Sequence, residues 1–307
     1  MTIFFRILKP KNFFKVIKNP KLVLIHLIYI LKRFFYDIFF LFKRKKYKYK
    51  IIFIAGMPMS ATTKVKTMCG RINGYFTRYS PMPENILLNQ DIAHSAFRYC
   101  PSWSYTLFKT HLNPWKENIE IIKKNNVKKV VVTYRDLRDV VVARYYRLLN
   151  FPKKKNESFY VEENRQYKNL NKPDAINDCI DVVSDRYTKW IFGWLEISSK
   201  EKDFILLSKF EDLVTKPKQE FKRILDFYEI NLEDPVIESI VDETRGKKNM
   251  RQNMEDSKIL PWALSSNFRS GKIGNWKYEF DKSNIKRFKE LAGESLIKLE
   301  YEKDLNW

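Results

Sequence analysis

Ser60, Thr62 and Thr63 stand directly behind an apolar run and a tight turn, in the stretch Ile51–Met68, IIFIAGMPMSATTKVKTM. The pattern predicts a strand, a turn through Gly56 and Pro58, and a helix that opens at the hydroxyl residues. Such an arrangement cradles a phosphate, because backbone N–H groups and the positive end of the helix dipole face the same point. Hydroxyls at the first helical positions add donors aimed the same way. The chemistry expected is that of a nucleotide phosphate. The stretch lacks the G-x-x-x-x-G-K-[ST] pattern, so an ordinary ATP or GTP loop is not the first reading.

The loop resembles the 5′-phosphosulfate-binding loop of sulfotransferases that use 3′-phosphoadenosine 5′-phosphosulfate, whose pattern runs P-[KR]-S-G-T-T. Three further segments agree in the order of that family. Phe108–Asn113 (FKTHLN) resembles the segment that carries the base, and Val130–Tyr146 (VVVTYRDLRDVVVARYY) the strand and helix that bind the 3′-phosphate. Phe268–Lys277 (FRSGKIGNWK) resembles the R-x-G-x-x-G-D-W-K loop, with Asn275 for the family's aspartate. The resemblance spans residues 51–280 and implies this donor, with 3′-phosphoadenosine 5′-phosphate as product and no metal. It implies Ser60, Ala61, Thr62 and Thr63 around the 5′ end, and Arg135 gripping the 3′-phosphate with Arg144 as a second ligand. Arg269, Ser270 and Gly271 approach that phosphate from the C-terminal loop. His111 is the implied base, since imidazole titrates near neutral pH, and Lys109 is placed to reach the sulfate or the bridging oxygen. The alternative for His111 is a satisfied structural residue, and for Lys109 a solvated one. His94 has no such context and reads as structural. Trp276 reads as packing on the cofactor loop or as core, and Arg138–Asp139 as a solvated or helix-paired set of charges. Glu211 and Asp212 are expected to cap and anchor the next helix.

Two departures separate the chain from the family pattern. Met59 stands where the loop has a basic residue and Ala61 where it has glycine. Ala143 stands where the 3′-phosphate element has a serine. A missing preorganised charge typically costs ~100- to 1000-fold in rate. Lys109 or Lys64 is left to supply that cation, or the protein is a weakened or inactive relative that still binds nucleotide or acceptor. A kinase-like enzyme is disfavoured, because neither a Walker lysine nor a metal-binding carboxylate is evident.

These residues need a frame. The chain of 307 residues is 44% hydrophobic, enough for one large α/β domain. Its net charge of +22 is uneven, since residues 1–50 carry fourteen Lys/Arg and one acid, Asp37. The basicity therefore belongs mostly to that segment, and nucleic acid is not an expected partner. Cys69, Cys100 and Cys179 are widely spaced and form no metal motif, which suits free, mostly buried thiols in a reducing, cytoplasmic setting.

Residues 1–50 alternate aromatic and aliphatic runs with lysines and end in Lys43–Lys50 (KRKKYKYK). Leu22–Leu31 is the longest uncharged stretch, far short of the ~20 residues of a spanning helix. A helical extension resting peripherally on an anionic membrane face is expected; the alternative is amphipathic helices packed on the domain. Residues 51–307 read as the catalytic domain. Strands are expected at Lys50–Gly56, Tyr105–Thr110, Lys129–Tyr134 and Phe204–Phe210. Helices are expected at Ala61–Asn73, Asn118–Asn125, Asp136–Leu149, Val183–Ser198, Lys216–Tyr228, Glu238–Thr244 and Asn284–Leu299. That alternation gives a doubly wound parallel sheet, with a P-loop-like strand, loop and helix and ligands at the strand C-termini. Asn150–Asn177 and Arg245–Phe268 read as excursions that form the pocket and lid of a small-molecule, carbohydrate or lipid hydroxyl acceptor.

Overall fold

A computed structural model describes residues 31, 34–35, 37–40, 46–77, 90–97, 100, 104–149, 169–244 and 271–307. Five strands lie in one sheet: β1 Ile51–Gly56, β2 Tyr75–Thr77, β3 Tyr105–Thr110, β4 Val130–Tyr134 and β5 Ile205–Lys209. Their order is β2-β3-β1-β4-β5 and every pairing is parallel. All six residues of β1 are buried, as a central strand covered on both faces requires. Phe53 and Ala55 enter one apolar cluster with Val130 and Val132, while Ile52 and Ile54 enter the other with Val131.

Helices α1 Thr62–Cys69, α2 Lys116–Lys124 and α3 Leu137–Leu149 follow β1, β3 and β4. Then come α4 Lys172–Val182, α5 Thr188–Lys200, α6 Phe210–Thr215, α7 Pro217–Phe227, α8 Asp234–Glu243, α9 Trp276–Glu279 and α10 Lys282–Lys298. In register, Ala55 lies opposite Thr110 and Gly56 opposite Thr133. The loop after β1, the turn at His111 and the turn at Arg135 therefore leave the same edge of the sheet.

The doubly wound sheet is as the sequence led one to expect, and several boundaries differ. Helix α1 stops at Cys69, with Gly70 donating to the Lys66 carbonyl at 2.9 Å, so it does not reach Asn73. Part of the expected surface excursion is α4, opened by Asn171 accepting from the Asp174 N–H, with Pro173 in the first turn. The buried aromatic helix begins as a wide turn at Val183–Tyr187 before α5. Strand β2 is too short to leave a periodic signal.

The described residues between 31 and 40 are helical. Phe40 is buried against Tyr47 and Tyr105, while Leu31, Phe34, Phe35 and Phe39 are exposed. Gly74, at φ 106°, lets the Phe40 ring approach where a Cβ would collide with it. Tyr47 donates through its hydroxyl to the Asn73 carbonyl at 2.8 Å, so the packed core takes in residues before position 51.

Candidate active site

Gly56 ends β1 where any Cβ would strike the hydroxyls of Thr62 and Thr133. Met57 N–H donates to the Thr133 carbonyl at 2.8 Å, pinning the loop to β4. Met59 and Ala61 then take left-handed conformations, φ 70° and 62°. Between them the Ser60 N–H donates back to the Met57 carbonyl at 3.2 Å, so the loop is held from within. Ala61 is the N-cap of α1 and no side chain caps it, so the first N–H groups of the helix are left for an external acceptor.

The hydroxyls were expected to face the same point, and two do not. Ser60 Oγ donates to the Met57 carbonyl at 2.6 Å and lies 2.7 Å from Thr133 Oγ1, fully buried. Thr62 Oγ1, also buried, lies 3.1 Å from Thr133 Oγ1. Both brace the loop against β4, because hydroxyls buried beside a carbonyl are satisfied there. The Thr63 hydroxyl is half-exposed and makes no hydrogen bond among the described residues. Met59 packs its side chain on the apolar core. Lys64 donates to the Leu213 carbonyl at 2.5 Å, a contact on α6 that draws it away from replacing the loop's missing cation.

His111 follows β3 directly. Its Nδ1 lies 2.5 Å from the Gly56 carbonyl, which can only accept, so Nδ1 carries the proton and Nε2 is the acceptor. The indoles of Trp190 and Trp194, one turn apart on α5, both donate to the Leu112 carbonyl, at 2.9 and 3.2 Å. Gly193 between them admits Pro114 where a Cβ would clash. The aromatic helix of the sequence thus clamps the turn that carries His111. Burial chiefly, with help from the Lys109 and Arg147 charges, pushes the imidazole down to about 3 against the opposing bond to Gly56. It is neutral at pH 7. Burial chiefly, then the charges of Lys66 and Arg147, pushes Lys109 down to about 8. Lys66 lies inside the quoted loop and helix stretch and Arg147 just past the strand and helix element, and nothing in their spacing singled them out.

Arg135 leaves β4 and is almost wholly buried. One of its terminal nitrogens donates to Asp139 Oδ2 at 3.0 Å and to the Lys272 carbonyl at 2.8 Å, and its plane lies 3.9 Å from the centre of the Phe210 ring. Its Nε is buried with no partner among the described residues. Asp139 also accepts from the N–H groups of Gly274 at 2.9 Å and Trp276 at 3.2 Å. Of the two readings of Arg138–Asp139, solvated or helix-paired, the solvated one fails: both are buried, and Asp139, paired one turn back with Arg135, ties it to the C-terminal loop. Arg138 chelates Asp136, reaches Glu302 at 2.5 Å, and lies over the rings of buried Trp276 and of Trp307. Glu211 does not cap its own helix but accepts from the Asp136 N–H at 3.3 Å and the Tyr301 hydroxyl at 2.8 Å. Arg144 is buried on α3 and Ala143 beside it is half-buried.

Gly271, at φ 62°, begins the described part of the C-terminal loop; Arg269 and Ser270 lie outside the described residues, as do residues 1–30, 150–168 and 245–268. An open cavity of about 680 Å³ is lined by Val214, Gly271, Lys272, Ile273, Asn275 and Tyr278. Among the described residues no cluster of His, Cys, Asp or Glu could hold a metal ion, and no helix is long and apolar enough to cross a membrane.

Residues 47–300 match the family model of the sulfotransferase domain. Flavonol 3-sulfotransferase of Flaveria bidentis is 26% identical over 269 residues, 80% of this chain and 81% of that one. Sulfotransferase 1C2 of Rattus norvegicus is 26% identical over 178 residues, so the match spans about half, 54%, of each chain. For human Sulfotransferase 1C2 the figures are 31% over 116 residues, 36% of this chain and 38% of that one. Mouse sulfotransferase SULT7A1 complexed with PAP has the same fold, with a TM-score of 0.59 at 20% identity over 82% of this chain and 85% of that one. Retinol dehydratase in a complex with retinol and PAP aligns at a TM-score of 0.52 and 18% identity, over 80% and 81%.

Proposed function

The chain belongs to the sulfotransferase domain family, and on that premise we propose that it moves a sulfuryl group from 3′-phosphoadenosine 5′-phosphosulfate to a hydroxyl or amine acceptor. The observation that carries this reading is His111: its Nδ1 proton is held by the Gly56 carbonyl, so Nε2 is free of hydrogen beside an uncapped helix N-terminus. A neutral imidazole in this tautomer takes the acceptor's proton as the acceptor attacks. The residues fit the donor. The N–H groups around Ala61, Thr62 and Thr63, with Lys109, suit its 5′ end. The orphan Nε of Arg135, with Arg144, Gly271 and the residues 269–270, suits the 3′-phosphate. When bound, the donor supplies an activated sulfuryl group and a bisphosphate leaving group. Negative charge gathered there is stabilised by Lys109 and the α1 dipole, and bound anions raise the basicity of His111 by offsetting Lys109.

The acceptors are small molecules bearing a hydroxyl, a carbohydrate or lipid among them. One relative is named for flavonols, and one structural neighbour holds retinol. Residues 1–50 are read as resting on an anionic membrane face outside the packed Phe40 and Tyr47, a reading supported by the exposed Leu31, Phe34, Phe35 and Phe39 in a segment whose sequence holds fourteen basic residues. Sedimentation of the full chain with phosphatidylserine vesicles but not phosphatidylcholine vesicles is expected; equal recovery with both refutes it.

The test of the main reading is thermal denaturation with 3′-phosphoadenosine 5′-phosphate beside 5′-AMP and ATP. A ligand specific to the folded state, at ~100 times its dissociation constant, adds about 2.7 kcal/mol. Selective stabilisation by the bisphosphate is expected; no shift overturns the reading. A second reading, weakened catalysis, is favoured by one observation: Met59 is packed as an apolar residue and Lys64 is drawn to Leu213. Met59→Lys then raises turnover by ~100-fold or more, whereas no gain over an active parent removes the idea.

A further inference from the structure

Residues 301–307 reach the Arg135 end of the site through other side chains, and by two routes. On the first, the Trp276 indole stands against that of Trp307, ring centres 5.3 Å apart and nearly perpendicular, while its backbone N–H donates to Asp139 at 3.2 Å. The other oxygen of Asp139 accepts from Arg135 and from the Gly274 N–H. The buried Arg138 guanidinium lies 4.0 Å from the centre of the Trp276 ring and 4.5 Å from that of Trp307, and bonds to Glu302 on one side and Asp136 on the other. On the second route the Tyr301 hydroxyl donates to Glu211 at 2.8 Å. The other Glu211 oxygen accepts from the N–H of Asp136, the residue after Arg135. The segment is itself anchored on α10: Trp307 packs on Phe288, Gly293 leaves room for Leu305, and the Tyr301 N–H donates to the Leu296 carbonyl at 2.8 Å. Among the described residues the lining of the open cavity takes none from 301–307.

We propose that Tyr301, Glu302 and Trp307 are positioning residues: they fix Arg135 and the loop at Gly271–Trp276, and so set how strongly the protein prefers a nucleotide that carries a 3′-phosphate. This rests on the sulfotransferase reading of the same site. Two physical arguments support it. A guanidinium grips a tetrahedral oxyanion through directed N–H donors, so its hold depends on where the plane is aimed. Such aim is kept only when the supporting side chains are locked by packing and hydrogen bonds of their own. Trp276 meets both conditions from the two ends of one residue, with its ring on Trp307 and its N–H on the carboxylate that holds Arg135. Loosening residues 301–307 thus loosens the phosphate grip without touching the 5′ end.

The experiment measures the affinity of the full chain for 3′-phosphoadenosine 5′-phosphate and for 5′-AMP by calorimetry, and kcat and KM with the sulfated donor. Glu302→Ala and Trp307→Ala are expected to lower the preference for the bisphosphate by ~10- to 100-fold, as for a misaligned charge-assisted bond, with 5′-AMP affinity unchanged. The donor KM should rise while kcat at saturation holds, the mark of lost binding and not of lost chemistry. Trp307→Phe, which keeps a ring beside Arg138, should retain most of the preference. Ile240→Ala, a change buried in α8, should lower Tm and leave the preference intact. Should Trp307→Ala fail to fold, Glu302→Ala and Tyr301→Phe, which leave the packing in place, decide the matter. A preference unchanged in those variants, or equal loss for both nucleotides, overturns the proposal. A parent protein with no preference for the bisphosphate would sink the sulfotransferase reading instead. Amide exchange on the nucleotide-free chain would still decide this one: Glu302→Ala should speed it at Gly274 and Trp276 above the rest of the domain, and no change there overturns the positioning role.

Discussion

The two ends of the site use the same residue types in opposite ways. Around His111 the charges of Lys109 and Arg147 oppose a second proton on the imidazole, those of Lys66 and Arg147 oppose the charge on Lys109, and the loop offers backbone N–H groups. Around Arg135 the charge is already engaged, by Asp139 and by the Lys272 carbonyl. The first end carries electrostatic repulsion that an anion relieves. The second is a brace that holds α3 to the C-terminal loop and offers a ligand mainly the unfilled Nε. Whether a buried arginine binds or builds is decided by the group opposite it, and the residue type alone does not say.

The largest effect expected separates chemistry from construction. His111→Ala should lower turnover by ~100- to 10,000-fold while the bisphosphate still stabilises the protein. Equal loss of both would make His111 a structural residue of the Gly56 turn. At the other end the expectation is reversed. Asp139→Ala strands a buried arginine and frees the Gly274 and Trp276 N–H groups, and should cost ~3–5 kcal/mol of stability in thermal unfolding. A loss under ~1 kcal/mol would show that Arg135 does not need its partner and that the brace is illusory.

A smaller effect comes from Lys109, whose pKa is pushed from 10.5 down to about 8. Between those two values the unfolded chain holds the proton and the folded chain has lost it, so this residue's share of stability rises with pH across pH 8 to 10.5. Anion binding has the opposite sign: it needs the charged form and should weaken by up to about tenfold per pH unit above pH 8. Lys109→Met should flatten both slopes relative to the parent. Two slopes of the same sign, or slopes unchanged in the variant, would place the lysine outside the anion's reach.

Much of this was legible in the sequence, and what was not has physical causes. The parallel sheet could be read because β1 and β4 are apolar on both faces, and the phosphate loop because a strand met a turn and a hydroxyl run. The place of Lys109 and His111 at the end of a strand was legible, while their roles came from the family resemblance and stand as proposals. Ser60 and Thr62 were read as donors to a ligand, yet they bond to Thr133, a residue about seventy positions on. Asp139 read as a solvated or helix-paired charge, because helical spacing cannot show that a loop from position 274 folds over it. Arg147 and Lys66 carried no signal, since spacing along the chain does not show whose charge acts on His111 and Lys109. The same holds for Trp190 and Trp194: the sequence marks them as buried, and only the fold shows what they hold.

The smallest effect bears on the loop itself. Ala61 sits at φ 62°, a left-handed conformation that costs an L-residue ~1–2 kcal/mol, while Gly271 at the other end adopts φ 62° without that cost. Ala61→Gly should therefore relieve strain, less the extra freedom that glycine gives the unfolded chain and less the contact of the Ala61 methyl with the apolar cluster around α1. A net gain of ~0.5 kcal/mol is expected, about 1–2 °C in Tm for a chain of this size. Gly271→Ala should lose ~1–2 kcal/mol by the same reasoning. The two changes should also differ in binding: Ala61→Gly keeps the uncapped start of α1, so affinity for the bisphosphate should hold or rise. A fall in Tm for Ala61→Gly would mean that the methyl contact outweighs the backbone strain, and that this loop is held in shape by packing more than by its fold-imposed turn.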